Sequence, residues 1–375
     1  MTTDFGFRLG DIPVCTRYAF SARKIWIFFK ALLLSWLVWD IFAYLGFFAA
    51  GGDLEAKWRQ ARFLPLPGPL FGMDTAPGLI LALGVILILY IFMRASLMVS
   101  KVTFQQIRGD DFFSTADAAA FAGRHGTPLF TVPLMLVFTI LFLLAVPVVM
   151  GALSRIPAVG PVIAALASVP LWGLMLLCLL TAVGLYLSLG LVPSVVATTR
   201  GDTFEAVFEV FSTLTSQPWR LLFYIIVAKI SLLVVGVLFL VFSSLALEVL
   251  DWAFSLGSGN SMLVSSMAAG PRMIAPELLP HVPSVLPVFF RETRETWEGM
   301  AGILAALSGT AVILILVSYF LAGLSAAWTI IYVVLKFRKD RENLLERADR
   351  EDQREFDRIC GASKTDRTST SRSGV

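Results

Sequence analysis

Residues 221–250 read LLFYIIVAKISLLVVGVLFLVFSSLALEVL, and Lys229 and Glu248 are the only charged side chains in this run. A transmembrane helix needs about 20 mainly apolar residues to cross about 30 Å of hydrocarbon. The run is therefore long and apolar enough to span a bilayer as a helix, and this property decides the fold class.

Five further stretches have the same character, and they lie at residues 25–49, 78–99, 129–153, 171–198 and 302–335. Of the 375 residues, 57% are hydrophobic and 15% are charged, against about 45–50% and about 25% in soluble proteins. The sequence predicts an all-α integral membrane protein with six transmembrane helices. A helix over 302–335 would be about 50 Å long, so we expect part of it to lie in the interface or to break near Ser308 and Gly309.

The distribution of Lys and Arg predicts the orientation of the chain. With the N-terminus inside, 20 of the 30 basic residues fall on the cytoplasmic side, as the positive-inside rule requires. The N-terminal segment 1–24 and the charged tail 336–375 are then cytoplasmic. Residues 251–300 form the largest outer loop, which is rich in proline and apolar residues and is expected to cover the outer membrane surface or cap the bundle.

Two connections on the predicted cytoplasmic side resemble each other. Residues 108–112 read RGDDF and residues 200–204 read RGDTF. Asp202 and Ser114 are suited to cap helices, with Glu205 and Asp117 three residues later. We therefore expect amphipathic helices at about 110–124 and 202–216, lying in the headgroup layer.

The second of these helices has an apolar face of residues at three- and four-residue steps, namely Phe204, Val207, Phe208, Phe211 and Leu214. In both connections a proline precedes or opens the next span. The predicted unit of span, interfacial helix, proline and span occurs twice with the same orientation, which predicts a parallel internal repeat.

Two segments carry a resemblance to known families. Residues 203–211 (TFEAVFEVF) with 217–222 (QPWRLL) resemble the connection in uncharacterised bacterial multi-span membrane proteins, including the membrane domain attached to some glycerophosphodiesterases. Residues 318–332 resemble hypothetical membrane proteins of planctomycete-type bacteria. The resemblance implies a membrane fold in a bacterial plasma (inner) membrane. No catalytic residue carries over, because the phosphodiesterase barrel is absent from the sequence.

Charged residues inside spans are costly and are candidates for function. Asp40 and Lys229 are the two that lie far from a cytoplasmic boundary. Three interpretations are open: a direct pair across a depth difference of about 10 Å, a role in ion or proton passage, or separate snorkelling to the headgroups.

A basic cluster directly follows the last span and is predicted to contact anionic lipid headgroups; its members are Lys336, Arg338, Lys339 and Arg341. Residues 336–358 hold eight basic and eight acidic side chains, which favours a solvated helix, with docking of a protein partner as the alternative. The Ser/Thr-rich residues after 360 are expected to be disordered.

Small residues at four-residue spacing in the last span would let another helix approach closely; the pairs are Gly302 with Ala306, Ala305 with Gly309, and Gly323 with Ala327. This spacing is common in packed bundles, and a homo-oligomer interface is one alternative.

The sequence offers little for catalysis or cofactor binding. It contains no P-loop, no H-E-x-x-H and no G-x-S-x-G, and 3 Cys and 2 His leave little for a metal site. We expect no cofactor, and a net charge of +3 favours no nucleic-acid partner. The predicted function is non-enzymatic organisation of membrane lipids or partner proteins at the cytoplasmic face. The alternative is a carrier or channel-like protein with Asp40 and Lys229 near its pathway.

Overall fold

A computed structural model describes residues 10, 12–65, 75–157, 159–260, 262–274, 296, 299–341 and 343–345. Helices make up 88% of these residues, and no strand occurs among them. The predicted all-α class is therefore confirmed for the described part of the chain.

The described residues form eleven main helices. They are α1 (Cys15–Ala19), α2 (Ala22–Ala49), α3 (Leu54–Ala61), α4 (Thr75–Ile107), α5 (Thr115–His125), α6 (Thr127–Leu153), α7 (Gly160–Thr199), α8 (Thr203–Ser216), α9 (Pro218–Ser258), α10 (Met262–Ile274) and α11 (Gly299–Asp340).

Six of these helices, α2, α4, α6, α7, α9 and α11, are long and apolar enough to cross a membrane. Their number agrees with the six predicted spans. Several are longer than the sequence predicts, and α11 continues for 42 residues without a break. The predicted break near Ser308 and Gly309 is wrong. The Ser308 hydroxyl donates back to the Ala305 carbonyl at 2.7 Å, and Gly309 serves close packing within an intact helix.

The main hydrophobic core lies at one end of the bundle, which carries residues 108–114, 200–202 and 336–341 and is called here the basic end. α4, α7 and α11 converge there, and Phe104, Val196 and Ile330 are completely buried. α1 packs against α11 at the same end. The core is built mainly from the C-terminal halves of these three long helices.

Away from the basic end, large apolar side chains of α6, α7 and α9 are exposed on the protein surface. Phe138, Leu166 and Phe242 are examples. Apolar residues on exposed faces of a spanning helix contact lipid rather than water. This exposure is what a membrane-embedded bundle requires.

At the opposite end, α10 packs tightly on α11. A methyl group added at Gly270 would collide with the Ala306 carbonyl, and one added at Gly309 would collide with the Met267 carbonyl. The two backbones are therefore in direct contact. The small residues in α11 do allow close helix approach as predicted, but the partner at Gly309 is α10 of the same chain rather than a second copy.

Residues 251–300 are partly helical, which the sequence analysis did not predict. α9 extends to Ser258, and α10 covers Met262–Ile274. Residues 275–295, including His281, lie outside the described residues, as do 346–375 of the tail. The prediction of disorder after residue 360 therefore concerns a part of the chain that the structure does not describe.

Candidate functional site

Both helices predicted to begin with a side-chain cap do so. The Asp202 carboxylate accepts a hydrogen bond from the Glu205 amide at 2.9 Å at the start of α8. The Ser114 hydroxyl accepts one from the Asp117 amide at 3.1 Å and donates to the Asp117 carboxylate at 2.6 Å. These caps satisfy amide groups that have no partner within the helix, so α5 and α8 start at positions fixed by the sequence.

α8 contacts four long helices at the basic end, namely α6, α7, α9 and α11. Its 14 residues make a helix about 21 Å long. The Phe211 ring lies against Gly184 in the interior of α7, so α8 also packs along the side of this neighbour. α8 therefore packs among four spanning helices near the basic end.

The predicted apolar face of α8 is divided between the core and the surface. Val207, Phe211 and Leu214 are partly buried against the main core. Phe204 and Phe208 point outward, with 74% and 67% of their surface exposed. The sequence pattern correctly identified apolar residues on α8, but it did not separate these two environments.

Two other exposed rings lie near the same end of the molecule. Phe112, just before α5, is 92% exposed, and Trp219, in the first turn of α9, is 80% exposed. Large exposed aromatic side chains are typical of the membrane–water interface, where the ring lies at the level of the headgroups. Together with Phe204 and Phe208 they define the aromatic set of the basic end.

A buried ion pair joins α8 to the end of α11. The Lys336 ammonium lies 2.5 Å from Oε1 of Glu209, and the two side chains are 11% and 7% exposed. Lys336 also contacts Asp340 at 2.8 Å. The Lys339 ammonium donates to the Ser212 hydroxyl at 2.5 Å. These contacts hold the last turns of α11 on α8.

This geometry changes the interpretation of the predicted headgroup cluster. Lys336 and Lys339 contact Glu209 and Ser212 of α8, and their contact with headgroups stays a prediction. Arg338 and Arg341 are exposed. The sequence analysis did not identify Glu209 as a partner. The only feature of the sequence that points to Glu209 is its position as a carboxylate on a helix with a strongly apolar face.

Asp40 and Lys229 do not meet in the structure. The Lys229 ammonium lies 3.4 Å from the Tyr186 hydroxyl. α2 and α9 each pack on α11, but they form no packed interface with each other over the described residues. The direct Asp40–Lys229 pair is absent from the structure, because α2 and α9 are both neighbours of α11 but do not pack on each other. Tyr186, the partner that is present, could not be identified from spacing alone.

Asp40 lies beside the turn that follows α3. Trp36 donates its indole N–H to the Phe63 carbonyl at 2.6 Å, and the Tyr44 hydroxyl donates to the Arg62 carbonyl. Residues four apart share a helix face, so Asp40 lies between these two anchors. Its Oδ1 is buried and accepts no hydrogen bond from the described residues.

Cysteine and metal chemistry have little support among the described residues. Cys15 is completely buried, and burial raises the pKa of its thiol to about 12. Over the residues that the structure describes, no group of three or more His, Cys, Asp or Glu side chains could hold a metal ion. The features that distinguish the basic end are its exposed aromatic rings, the Glu209–Lys336 ion pair and the exposed Arg338 and Arg341 side chains.

No family model matches the sequence, and neither a curated protein nor a solved structure matches the chain. The resemblance of residues 203–222 and 318–332 to bacterial multi-span families stays a prediction.

Proposed function

We propose that this chain is a non-enzymatic, multi-pass protein of a bacterial plasma membrane that embeds its basic end in the cytoplasmic leaflet and organises anionic lipid there. The observation that carries the proposal is the exposure of Phe204 and Phe208 on a helix that packs on four spanning helices near the basic end. An aqueous surface would leave these rings unfavourably hydrated, whereas the headgroup layer accommodates them.

In this proposal, α5 and α8 are interfacial helices related by a parallel internal repeat. Each follows a spanning helix, starts with a capping side chain and is followed by a spanning helix with a proline in its first turn. Phe112 and Phe204 come from the matching RGDDF and RGDTF segments, and both rings are exposed. The matched features support two copies of one unit in the same orientation.

The charge of the basic end supports contact with anionic lipid in particular. Arg338 and Arg341 are exposed there, and a basic residue near an anionic membrane surface contributes about 1 kcal/mol of attraction. The positive-inside rule favours this end as cytoplasmic, which gives both termini a cytoplasmic location. The lipid role needs no catalytic group. Docking of a protein partner on residues 346–375 of the tail concerns a part of the chain that the structure does not describe.

The transport alternative, with Asp40 and Lys229 near a pathway, stays a prediction. Asp40 and Lys229 have different neighbours, on helices that do not pack together over the described residues, so their arrangement gives this alternative no added support. We therefore base the proposed function on the lipid-facing surface of the basic end.

The proposal is tested by the lipid that surrounds the full chain in a bilayer. The protein is reconstituted into vesicles of phosphatidylcholine and phosphatidylglycerol, and its relative affinity for each spin-labelled lipid is measured by electron paramagnetic resonance. We expect phosphatidylglycerol to be preferred. The double variant Arg338→Gln/Arg341→Gln should weaken that preference more than the control Arg59→Gln/Arg155→Gln, which removes two exposed arginines outside the basic end.

Equal association of the two lipids with the unmodified protein contradicts the proposal. An equal loss of the phosphatidylglycerol preference in the test and control variants also contradicts the proposal, because the attraction would then come from total charge rather than from the basic end.

A further inference from the structure

The packing of α7 and α9 on α11 indicates a groove between these two helices. Both helices pack on α11, but they form no packed interface with each other over the described residues. α8 packs on all three helices. This arrangement gives a groove with α7 and α9 as its walls and α11 as its floor, with α8 as a neighbour of all three helices. We call this feature the α7–α9 groove.

Two polar groups from opposite walls meet in the groove. The Lys229 ammonium of α9 lies 3.4 Å from the Tyr186 hydroxyl of α7, and both side chains are exposed. Lys229 also lines a small cavity with Leu324 and Trp328 of α11. The Trp328 ring lies so close to Gly190 that a methyl group there would overlap it. The floor beneath the two polar groups is therefore closely packed.

Farther from the basic end than Lys229 and Tyr186, the walls of the groove are apolar. Val183 and Leu179 precede Tyr186 by three and seven residues and share its face of α7, and Leu233 follows Lys229 by four on α9. All three are exposed. The α7–α9 groove therefore has a cationic, hydrogen-bonding end and an apolar remainder, which is the polarity of an amphiphilic ligand with an anionic head.

Lys229 is not neutralised within the described part of the chain. Its recorded partner is a hydroxyl, and it forms no ion pair with a described Asp or Glu. A helical side chain leans toward the N-terminus of its helix, which for α9 is the basic end, and Lys229 is about 14 Å from Arg220 along the axis. At this depth in a bilayer, an exposed ammonium group is stabilised either by binding an anion or by extending toward the headgroups.

We propose that the α7–α9 groove binds one molecule of an anionic phospholipid, with its phosphate held by the Lys229 ammonium and the Tyr186 hydroxyl. An acyl chain then lies along Val183, Leu179 and Leu233. Both polar groups can donate to a phosphate oxygen, and the ammonium supplies the opposite charge. This inference deepens the proposed function and rests on it only in requiring the basic end to lie at a lipid layer.

The test counts lipids that stay bound to the full chain. The protein is reconstituted with equal phosphatidylglycerol and phosphatidylcholine, extracted in mild detergent and measured by native mass spectrometry. We expect one retained phosphatidylglycerol. Lys229→Met should reduce its occupancy about ten-fold, equivalent to the loss of one charge-assisted hydrogen bond. Tyr186→Phe should reduce it less, and Lys229→Arg should retain it because the charge and donors remain.

Lys30→Met is the matched control. Lys30 is also an exposed lysine in a spanning helix, and its ammonium lies 5.6 Å from the centre of the Trp26 ring rather than in the α7–α9 groove. We expect this variant to retain the bound lipid. The thermal unfolding midpoint of each variant is measured in parallel, and Tyr186→Phe and Lys229→Arg, which preserve size, provide a second readout if Lys229→Met folds poorly.

Several results overturn the groove inference. These are equal losses in Lys229→Met and Lys30→Met, an unchanged phosphatidylglycerol count in Lys229→Met, a retained free fatty acid instead of a phospholipid, or a second copy of the chain bound in place of lipid.

The two proposals fail separately. If Lys229→Met removes the retained lipid while Arg338→Gln/Arg341→Gln leaves the surrounding lipid unchanged, the groove inference stands and the role of the basic end is wrong. If the surrounding lipid responds to the arginines but Lys229→Met keeps its lipid, the reverse holds.

Discussion

Glu209 and Lys336 form a buried ion pair between two helices, with 2.5 Å between Oε1 and Nζ. The carboxylate belongs to α8 and the ammonium to the last turns of α11. This contact holds α8 against the end of α11, and in that position Phe204 and Phe208 are exposed. The buried pair and the exposed rings are therefore two consequences of one orientation of α8.

Removing the Glu209 carboxylate from this pair should destabilise the protein. In Glu209→Gln Lys336 keeps its charge and its contact with Asp340 but loses the Glu209 carboxylate, so we expect a cost below the about 3–5 kcal/mol of leaving a buried charge without any partner. The free energy of unfolding in detergent measures the effect. Glu205→Gln is the control, because Glu205 lies one turn earlier on α8 and is exposed.

The double variant Glu209→Gln/Lys336→Met should recover part of the loss, because it leaves neither charge unpaired. A Glu209→Gln effect no larger than that of Glu205→Gln would show that the pair does not hold α8 in place.

Asp40 and Lys229 should behave independently. Since they do not contact each other, the effects of Asp40→Asn and Lys229→Met on the free energy of unfolding should add to within about 0.5 kcal/mol in the double variant. A double-mutant cycle in detergent measures the difference. A coupling energy above about 1 kcal/mol would restore the direct pair that the structure does not contain.

Cys15 should resist alkylation in the folded protein even when the membrane is permeabilised. Its side chain is completely buried, and a pKa of about 12 leaves almost no thiolate at neutral pH. Mass spectrometry after maleimide treatment should show modification of Cys15 only in denaturant. Rapid labelling of the native chain would contradict the burial. Thiol labelling of Cys15 therefore gives no information on topology. A cysteine in place of the exposed Phe112 can report which side of the membrane the basic end faces.

Gly309 should tolerate no large side chain. Leucine there would have to displace the α10 backbone at Met267, and overpacking costs about 1–3 kcal/mol or more. Gly151→Leu is the control, because an added Cβ at Gly151 meets no atom within 4 Å. We expect Gly309→Leu to lower the unfolding midpoint without changing the oligomeric state. Dissociation of an oligomer with unchanged stability would instead place a second copy at this face.

The features that sequence could predict are local ones. A span needs only a continuous apolar run, so 221–250 identified a helix without any tertiary information. The caps at Ser114 and Asp202 depend on residues three positions apart, and both were predicted correctly.

The features that sequence could not predict join distant residues or depend on packing. Glu209 and Lys336 are 127 positions apart, and Tyr186 carries no pattern that connects it to Lys229. α10 contains Gly270 and Pro271, which favour a loop over a helix in a short segment. Gly309 suggested a break in α11, but its small size instead allows contact with the Met267 backbone.

The depth of α8 in a bilayer tests the central claim most directly. Phe208→Cys is combined with Cys360→Ser and spin-labelled, and the protein is reconstituted in vesicles that contain phosphatidylglycerol. The relaxation of the label by oxygen and by a water-soluble nickel complex gives its depth. We predict a label about 5–10 Å into the headgroup and acyl boundary, with a label at Glu205 closer to water. A label at position 208 that is fully accessible to the nickel complex would contradict the account.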